Sequence, residues 1–180
     1  IAALELLTSE DQFGVLGFDD AFKWVVPVQA PNNPKALAGR IATLRAGGGT
    51  DLFPALQEGV NRLASNPLSS RHILILSDGA TAPANFDKLA QEAVSKRIVL
   101  STVAVGDGAD LVFLERLARN GKGRCYVADS AHALPRIFAR ETLLSSRSAF
   151  DEKPAPLRTA SVHPLLQGVA VDSAPDLLGH

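Results

Sequence analysis

His72 to Gly79 reads HILILSDG, and Ile98 to Gly108 reads IVLSTVAVGDG. Each is a short apolar run that stops at aspartate and glycine. Runs of this length, rich in β-branched residues, read as strands buried on both faces, which is the habit of parallel sheets. Between them, Phe86 to Lys96 places Phe86, Leu89, Ala90 and Ala93 on one side of a helix. Strand, helix and strand in this order form a crossover unit, and such units are right-handed.

Reading onward, Leu111 to Arg119 is a helix, Arg124 to Ala128 a short strand and Leu134 to about Leu144 a last helix. Reading backward, Thr50-Asp51 opens a helix to about Ala64, with Leu52, Leu56, Val60 and Leu63 on one face. Pro34 to Leu44 is another, with Leu37, Ile41 and Leu44 at helical spacing. Before these, Phe13 to Phe18 (FGVLGF) and Phe22 to Val28 (FKWVVPV) flank a tight turn at Asp19-Asp20 and read as an antiparallel hairpin. Pro27 lacks a ladder donor and places the second of these strands at a sheet edge. The expected fold class is α/β, a three-layer, mostly parallel, doubly wound sheet with an antiparallel edge. Residues 1–148 form that domain. Residues 149–180 carry Pro154, Pro156, Pro164 and Pro175 without a sustained period, and read as a linker or the start of a following region.

With 180 residues the chain can build a real core. A net charge of −1 and the lack of a dense Lys/Arg run argue against a nucleic-acid or anionic-membrane surface as partner. No apolar stretch is long enough to span a bilayer. Cys125, the single cysteine, excludes an internal disulfide and cysteine-held zinc. The chain opens at Ile1 inside an apolar helical pattern and contains no methionine, so it is expected to be a fragment of a longer protein.

Ligands of open α/β sheets bind beyond the carboxyl ends of the strands. Those ends carry Asp19-Asp20, Asp78-Gly79 and Asp107, and the loop before Thr50 belongs to the same rim. Hydroxyl and carboxylate oxygens without histidine or cysteine suit Mg²⁺, Mn²⁺ or Ca²⁺. The candidate metal ligands are Thr50 and Asp78, with glycines before Thr50 that allow close backbone approach. Taken singly, Thr50 is as well explained as a helix N-cap and Asp78 as a turn former.

The segments FGVLGFD (Phe13 to Asp19), IATLRAGGGTDLFPAL (Ile41 to Leu56), HILILSDG (His72 to Gly79) and STVAVGDGAD (Ser101 to Asp110) together resemble a von Willebrand factor A-type domain over Ile1 to Leu144. The resemblance implies a Rossmann-like fold and a metal-ion-dependent adhesion site. In that site an Asp-x-Ser-x-Ser motif, a threonine and an aspartate hold the cation, and Thr50 and Asp78 match the last two. The Asp-x-Ser-x-Ser motif is absent, and with it the central first strand. The site is therefore expected to be incomplete in this chain and complete in its parent. Two strands beside the gap would then expose ladder edges, an aggregation hazard. An upstream strand, a partner chain or the apolar run Gly168 to Val171 is expected to close it. The last helix and the stretch with His163-Pro164-Leu165-Leu166 are similar to a bacterial membrane-protein family in which this domain precedes a glutamine amidotransferase-like region. That similarity implies a soluble domain of a membrane-anchored protein.

Other features carry less. Cys125 reads as a small core residue, and neither His72 nor His132 is placed by sequence to activate it. Gly47-Gly48-Gly49-Thr50 lacks the lysine of a phosphate loop. Gly106-Asp107-Gly108 reads as a turn. The four histidines have no ligand spacing. Trp24, on the hairpin, is expected to cap the core. The function expected is a divalent-metal-dependent protein-interaction module, not an enzyme, whose partner offers an acidic residue to the cation. The alternatives are a Mg²⁺-dependent nucleotide or phosphoester enzyme domain and a structural domain with a decayed site.

Overall fold

The computed structural model describes residues 6–45, 47–66, 70–106, 108–130 and 132–147. Most of residues 1–7, Asp107 and all of 149–180, including Gly168 to Val171, lie outside the described residues. Ten elements follow one another. They are β1 (Phe13–Phe18), β2 (Phe22–Gln29), α1 (Pro34–Ile41), α2 (Leu52–Ala64), β3 (Arg71–Ser77), α3 (Phe86–Ser95), β4 (Ile98–Val105), α4 (Leu111–Asn120), β5 (Lys122–Ala128) and α5 (Leu134–Arg147).

The parallel core is the sheet β3-β4-β5. Its pairing runs without a break from Arg71↔Ile98 to Ser77↔Ala104 on one side of β4. On the other side it runs from Leu100↔Lys122 to Val105↔Ala128, with one register shift. Helices cover it on both faces, as in a doubly wound α/β fold. Period-two alternation in β4 sends its two buried polar side chains to opposite faces. Thr102 donates to the Leu114 carbonyl of α4 at 3.1 Å. Ser101 donates to Glu141 of α5 at 2.7 Å. Both hydroxyls are 0% exposed and both are satisfied, as burial requires. Gly123 is dictated by packing, because a Cβ there would lie 2.0 Å from the Leu100 carbonyl oxygen.

The gap expected where the central first strand is absent is present. The hairpin β1-β2 does not join β3 but forms a two-stranded sheet of its own. Among the described residues no strand pairs with the second edge of β1 or with the outer edge of β3. Burial follows from this. The central strand β4 is almost wholly buried, whereas β3 is mostly half-buried and no residue of β1 is fully buried. The reading of FGVLGF as a strand buried on both faces is corrected accordingly. A strand paired on one edge keeps part of its surface wet. Pro27 is exposed and follows Val26, beside the register shift between Phe13 and Val15, where the ladder does not need its missing donor.

What joins the two sheets is α2, which packs against β1, β2, β3 and β4. Its buried face is Leu52, Ala55, Leu56 and Val60, and each large aliphatic side chain removed from water contributes roughly 1.5–3 kcal/mol. Trp24 of β2 donates to Glu58 of α2 at 3.0 Å, so it is a half-buried tie between hairpin and helix. An aromatic chain continues the layer. Phe53 of α2 meets Phe86 of α3 edge-on at 5.3 Å, and Phe86 meets Phe113 of α4 at 4.9 Å. Such pairs add about 0.5–1.5 kcal/mol each beyond area burial. Phe86, 4% exposed, is the middle link. Phe86→Ala is therefore expected to lower stability by about 3–5 kcal/mol, read as a shift in the urea midpoint at unchanged slope.

Candidate metal centre at the loop rim

The parallel register puts the carboxyl ends of β3 and β4 side by side, because Ser77 pairs with Ala104. Asp78 leaves β3 immediately after Ser77. The Ser77 hydroxyl accepts the Gly79 N–H at 3.0 Å, and Asp78 Oδ1 accepts the Ala80 N–H at 3.1 Å. Gly79 has φ +84°, and a Cβ on it would lie 2.9 Å from the Asp110 Cβ. Only glycine lets the two loops close this tightly. Asp110 completes the contact. Its N–H donates to the Asp78 carbonyl at 2.7 Å, and its Oδ1 caps α4 by accepting the Phe113 N–H at 3.0 Å.

The loop carrying Thr50 is stitched to its neighbours by its flanks. The Asp51 N–H donates to the Asp19 carbonyl at 2.7 Å. The Gly49 N–H donates to Asp20 Oδ1 at 2.8 Å. The Leu52 N–H, a free donor of the first turn of α2, donates to the Thr81 hydroxyl at 3.1 Å. That last bond ties the Thr50 loop to the Asp78 loop. The β1-β2 turn, the Thr50 loop, the Asp78 loop and the start of α4 thus meet at one rim, as the strand ends implied.

The two candidate ligands fare differently against the structural alternatives. Asp78 is a turn former through Oδ1, yet its Oδ2 accepts no hydrogen bond among the described residues. Thr50 is not the N-cap; Asp51 holds that position, without a side-chain bond. The half-buried Thr50 hydroxyl makes no hydrogen bond among the described residues. Asp19, Asp20, Asp51, Asp78 and Asp110 make no ion pair among the described residues either. A free hydroxyl and a free carboxylate oxygen amid further carboxylates fit a hard divalent cation in donor type. They do not fit it in number, because among the described residues no three His, Cys, Asp or Glu side chains gather closely enough to hold a metal. Asp107 lies outside the described residues.

A second polar cluster was not legible in the sequence. Glu141 of α5 is 2% exposed. It accepts from Ser101 at 2.7 Å and from the Tyr126 hydroxyl. Arg124 Nη1 lies 3.5 Å from it. His72 Nε2 lies 3.1 Å from Glu141 Oε2, though without hydrogen-bond alignment. Serine, histidine and glutamate suggest a triad, but both Ser101 and His72 face the same buried carboxylate instead of following in series. The cluster anchors α5 to three strands. The only sequence hint was polar residues interrupting apolar strands on alternate positions.

The profile of the von Willebrand factor type A domain matches residues 1–140. The chain belongs to that family. It is 28% identical over 148 residues to the uncharacterized protein sll0103 of Synechocystis sp. PCC 6803, covering 78% of this chain and 35% of that protein. The chain thus spans about a third of the length of this relative. Among solved structures, it is similar to a von Willebrand factor type A protein from Catenulispora acidiphila, at TM-score 0.72 and 20% identity, over 86% of this chain and 37% of that one. It is also similar to proximal thread matrix protein 1 of the mussel byssus with a zinc-occupied MIDAS motif. That match has TM-score 0.60 and 19% identity, over 74% of this chain and 35% of the other. These likenesses confirm the doubly wound A-type fold. No described helix is long and apolar enough to cross a membrane.

Two expectations follow from the Glu141 cluster. Glu141→Ala leaves the buried Ser101 hydroxyl and the half-buried Tyr126 hydroxyl without their acceptor and should cost about 1–3 kcal/mol in chemical denaturation. The pH dependence has two limbs. Burial, opposed by Glu141 and aided by Arg124, holds His72 below its ordinary pKa of 6.5. The unfolded chain then binds more protons in acid, so stability falls as pH drops below about 6.5. Burial, then the hydrogen bond to Glu141 and its charge, push Tyr126 up to about 12 from 10.0. Its contribution is whole below about pH 10 and is lost between about pH 10 and 12. Urea midpoints across pH should show the acid limb reduced in His72→Gln and the alkaline limb reduced in Tyr126→Phe.

Proposed function

We propose that this chain is a divalent-cation-dependent protein-interaction module, not an enzyme, in which Thr50 and Asp78 supply two of the ligands to Mg²⁺, with Mn²⁺ or Ca²⁺ as substitutes. One observation carries the reading. On a rim of carboxylates without ion pairs among the described residues, the Thr50 hydroxyl and Asp78 Oδ2 are left without partners while the backbone around them is tied down. Support comes also from the family, and from the metal-occupied motif of the mussel protein, which shares the fold. A bound cation supplies a coordination position that an acidic side chain of a partner protein can complete.

The chain's own part is to hold two oxygens in place and leave the approach open. Two protein ligands of which one is charged leave most of the hydration shell on the cation, so binding is weak. A further donor set, of the Asp-x-Ser-x-Ser kind, would tighten it. The similarity of the last helix and tail to a membrane-protein family favours a membrane-anchored parent for the domain.

Thermal unfolding in rising Mn²⁺ tests the proposal. A cation that binds only the folded state stabilises by about 2.7 kcal/mol at a hundred times its Kd. The midpoint of the 180-residue chain should climb over the millimolar range. Asp78→Ala should abolish the climb and Thr50→Ala reduce it. A midpoint that ignores Mn²⁺ at every concentration, or one that climbs equally in Asp78→Ala, would overturn the assignment.

A further inference from the structure

We infer that Asp20 is the positioning residue for Thr50. Asp20 lies in the β1-β2 turn, 30 residues before the candidate ligand, and its carboxylate grips the glycine loop. Oδ1 accepts the Gly49 N–H at 2.8 Å. A Cβ on Gly49 would fall 2.5 Å from that same Oδ1, and one on Gly48 would fall 2.7 Å from Oδ2. Gly48 also has φ +70°. The glycines therefore make room for Asp20 itself. The next residue but one, Asp51, is held from the same turn through the Asp19 carbonyl at 2.7 Å. Thr50 is the residue between these two bonds. Its backbone is clamped on both sides by one turn, while its own hydroxyl makes no bond among the described residues.

A loop of three glycines is otherwise entropically loose. A charge-assisted bond from carboxylate to backbone N–H is about twice as strong as a neutral one. Asp20 thereby supplies the order that the glycines lack. Its Oδ1 is engaged by Gly49, and that bond is the one that positions Thr50.

This inference rests on the cation-binding reading for its functional meaning, but its geometry can be tested without a cation. Amide hydrogen exchange by ¹⁵N NMR on the cation-free chain reads the clamp. Gly49 should exchange about tenfold faster in Asp20→Ala than in the parent. Asp20→Asn, which keeps an acceptor at the same place, should stay within about threefold. Equal Gly49 exchange in the parent and Asp20→Ala overturns the clamp, whatever Mn²⁺ does. Mn²⁺ titration then separates positioning from ligation. Asp20→Ala should weaken the apparent affinity about tenfold, and Asp20→Asn should largely restore it. If Asp20→Asn is as weak as Asp20→Ala while Gly49 stays protected, Asp20 is a ligand and the positioning role falls. If the parent chain itself shows no Mn²⁺ effect, the functional reading fails and the exchange experiment alone decides the clamp.

Discussion

The parallel ladder between β3 and β4 is the constraint on which the remaining structure depends. Seven consecutive residue pairs, Arg71↔Ile98 through Ser77↔Ala104, satisfy the backbone groups that face each other between two apolar strands. Unpaired peptide groups at that depth would be too costly to bury. Because the strands run parallel, each connection must cross over a sheet face, and the crossover helix α3 lands its apolar side there. The same register puts both carboxyl ends at one rim. Asp78 and Asp110 can therefore touch although they are 32 positions apart, by the bond from the Asp110 N–H to the Asp78 carbonyl.

The two polar clusters show opposite uses of a carboxylate. Glu141 is buried and surrounded by Ser101, Tyr126, His72 and Arg124. A buried charge persists only when its oxygens are occupied in this way, and the result is a rigid anchor for α5. Asp78 is exposed and keeps one oxygen free among the described residues. Water can satisfy that oxygen at little cost, so it stays available for exchange with a ligand. The contrast separates a structural carboxylate from one poised to bind.

The helix α2 carries a further load. It spans the hairpin sheet and the parallel sheet and provides the apolar face common to both. Its first turn also fixes the rim, since the Leu52 N–H bonds to Thr81 while Leu52 itself is 2% exposed. Packing of the core and placement of Thr50 are therefore coupled through one residue.

Hydrophobic period alone determined the elements. Apolar runs in β3 and β4, helical spacing in α2 and α3, and Asp-Gly stops are local properties, and each element was placed within a few residues. The rim also followed, since parallel strands have one carboxyl end. Long-range partners were beyond such reading. The separation of β1-β2 from β3 depends on which edges find a partner. The convergence of His72, Ser101, Arg124 and Tyr126 on Glu141 depends on how α5 lies across three strands. The grip of Asp20 on Gly49 depends on two loops meeting. Local pattern reports which face a residue takes, while only the folded chain decides what stands opposite, because contacts between distant segments are set by packing and by the need to satisfy every buried polar group.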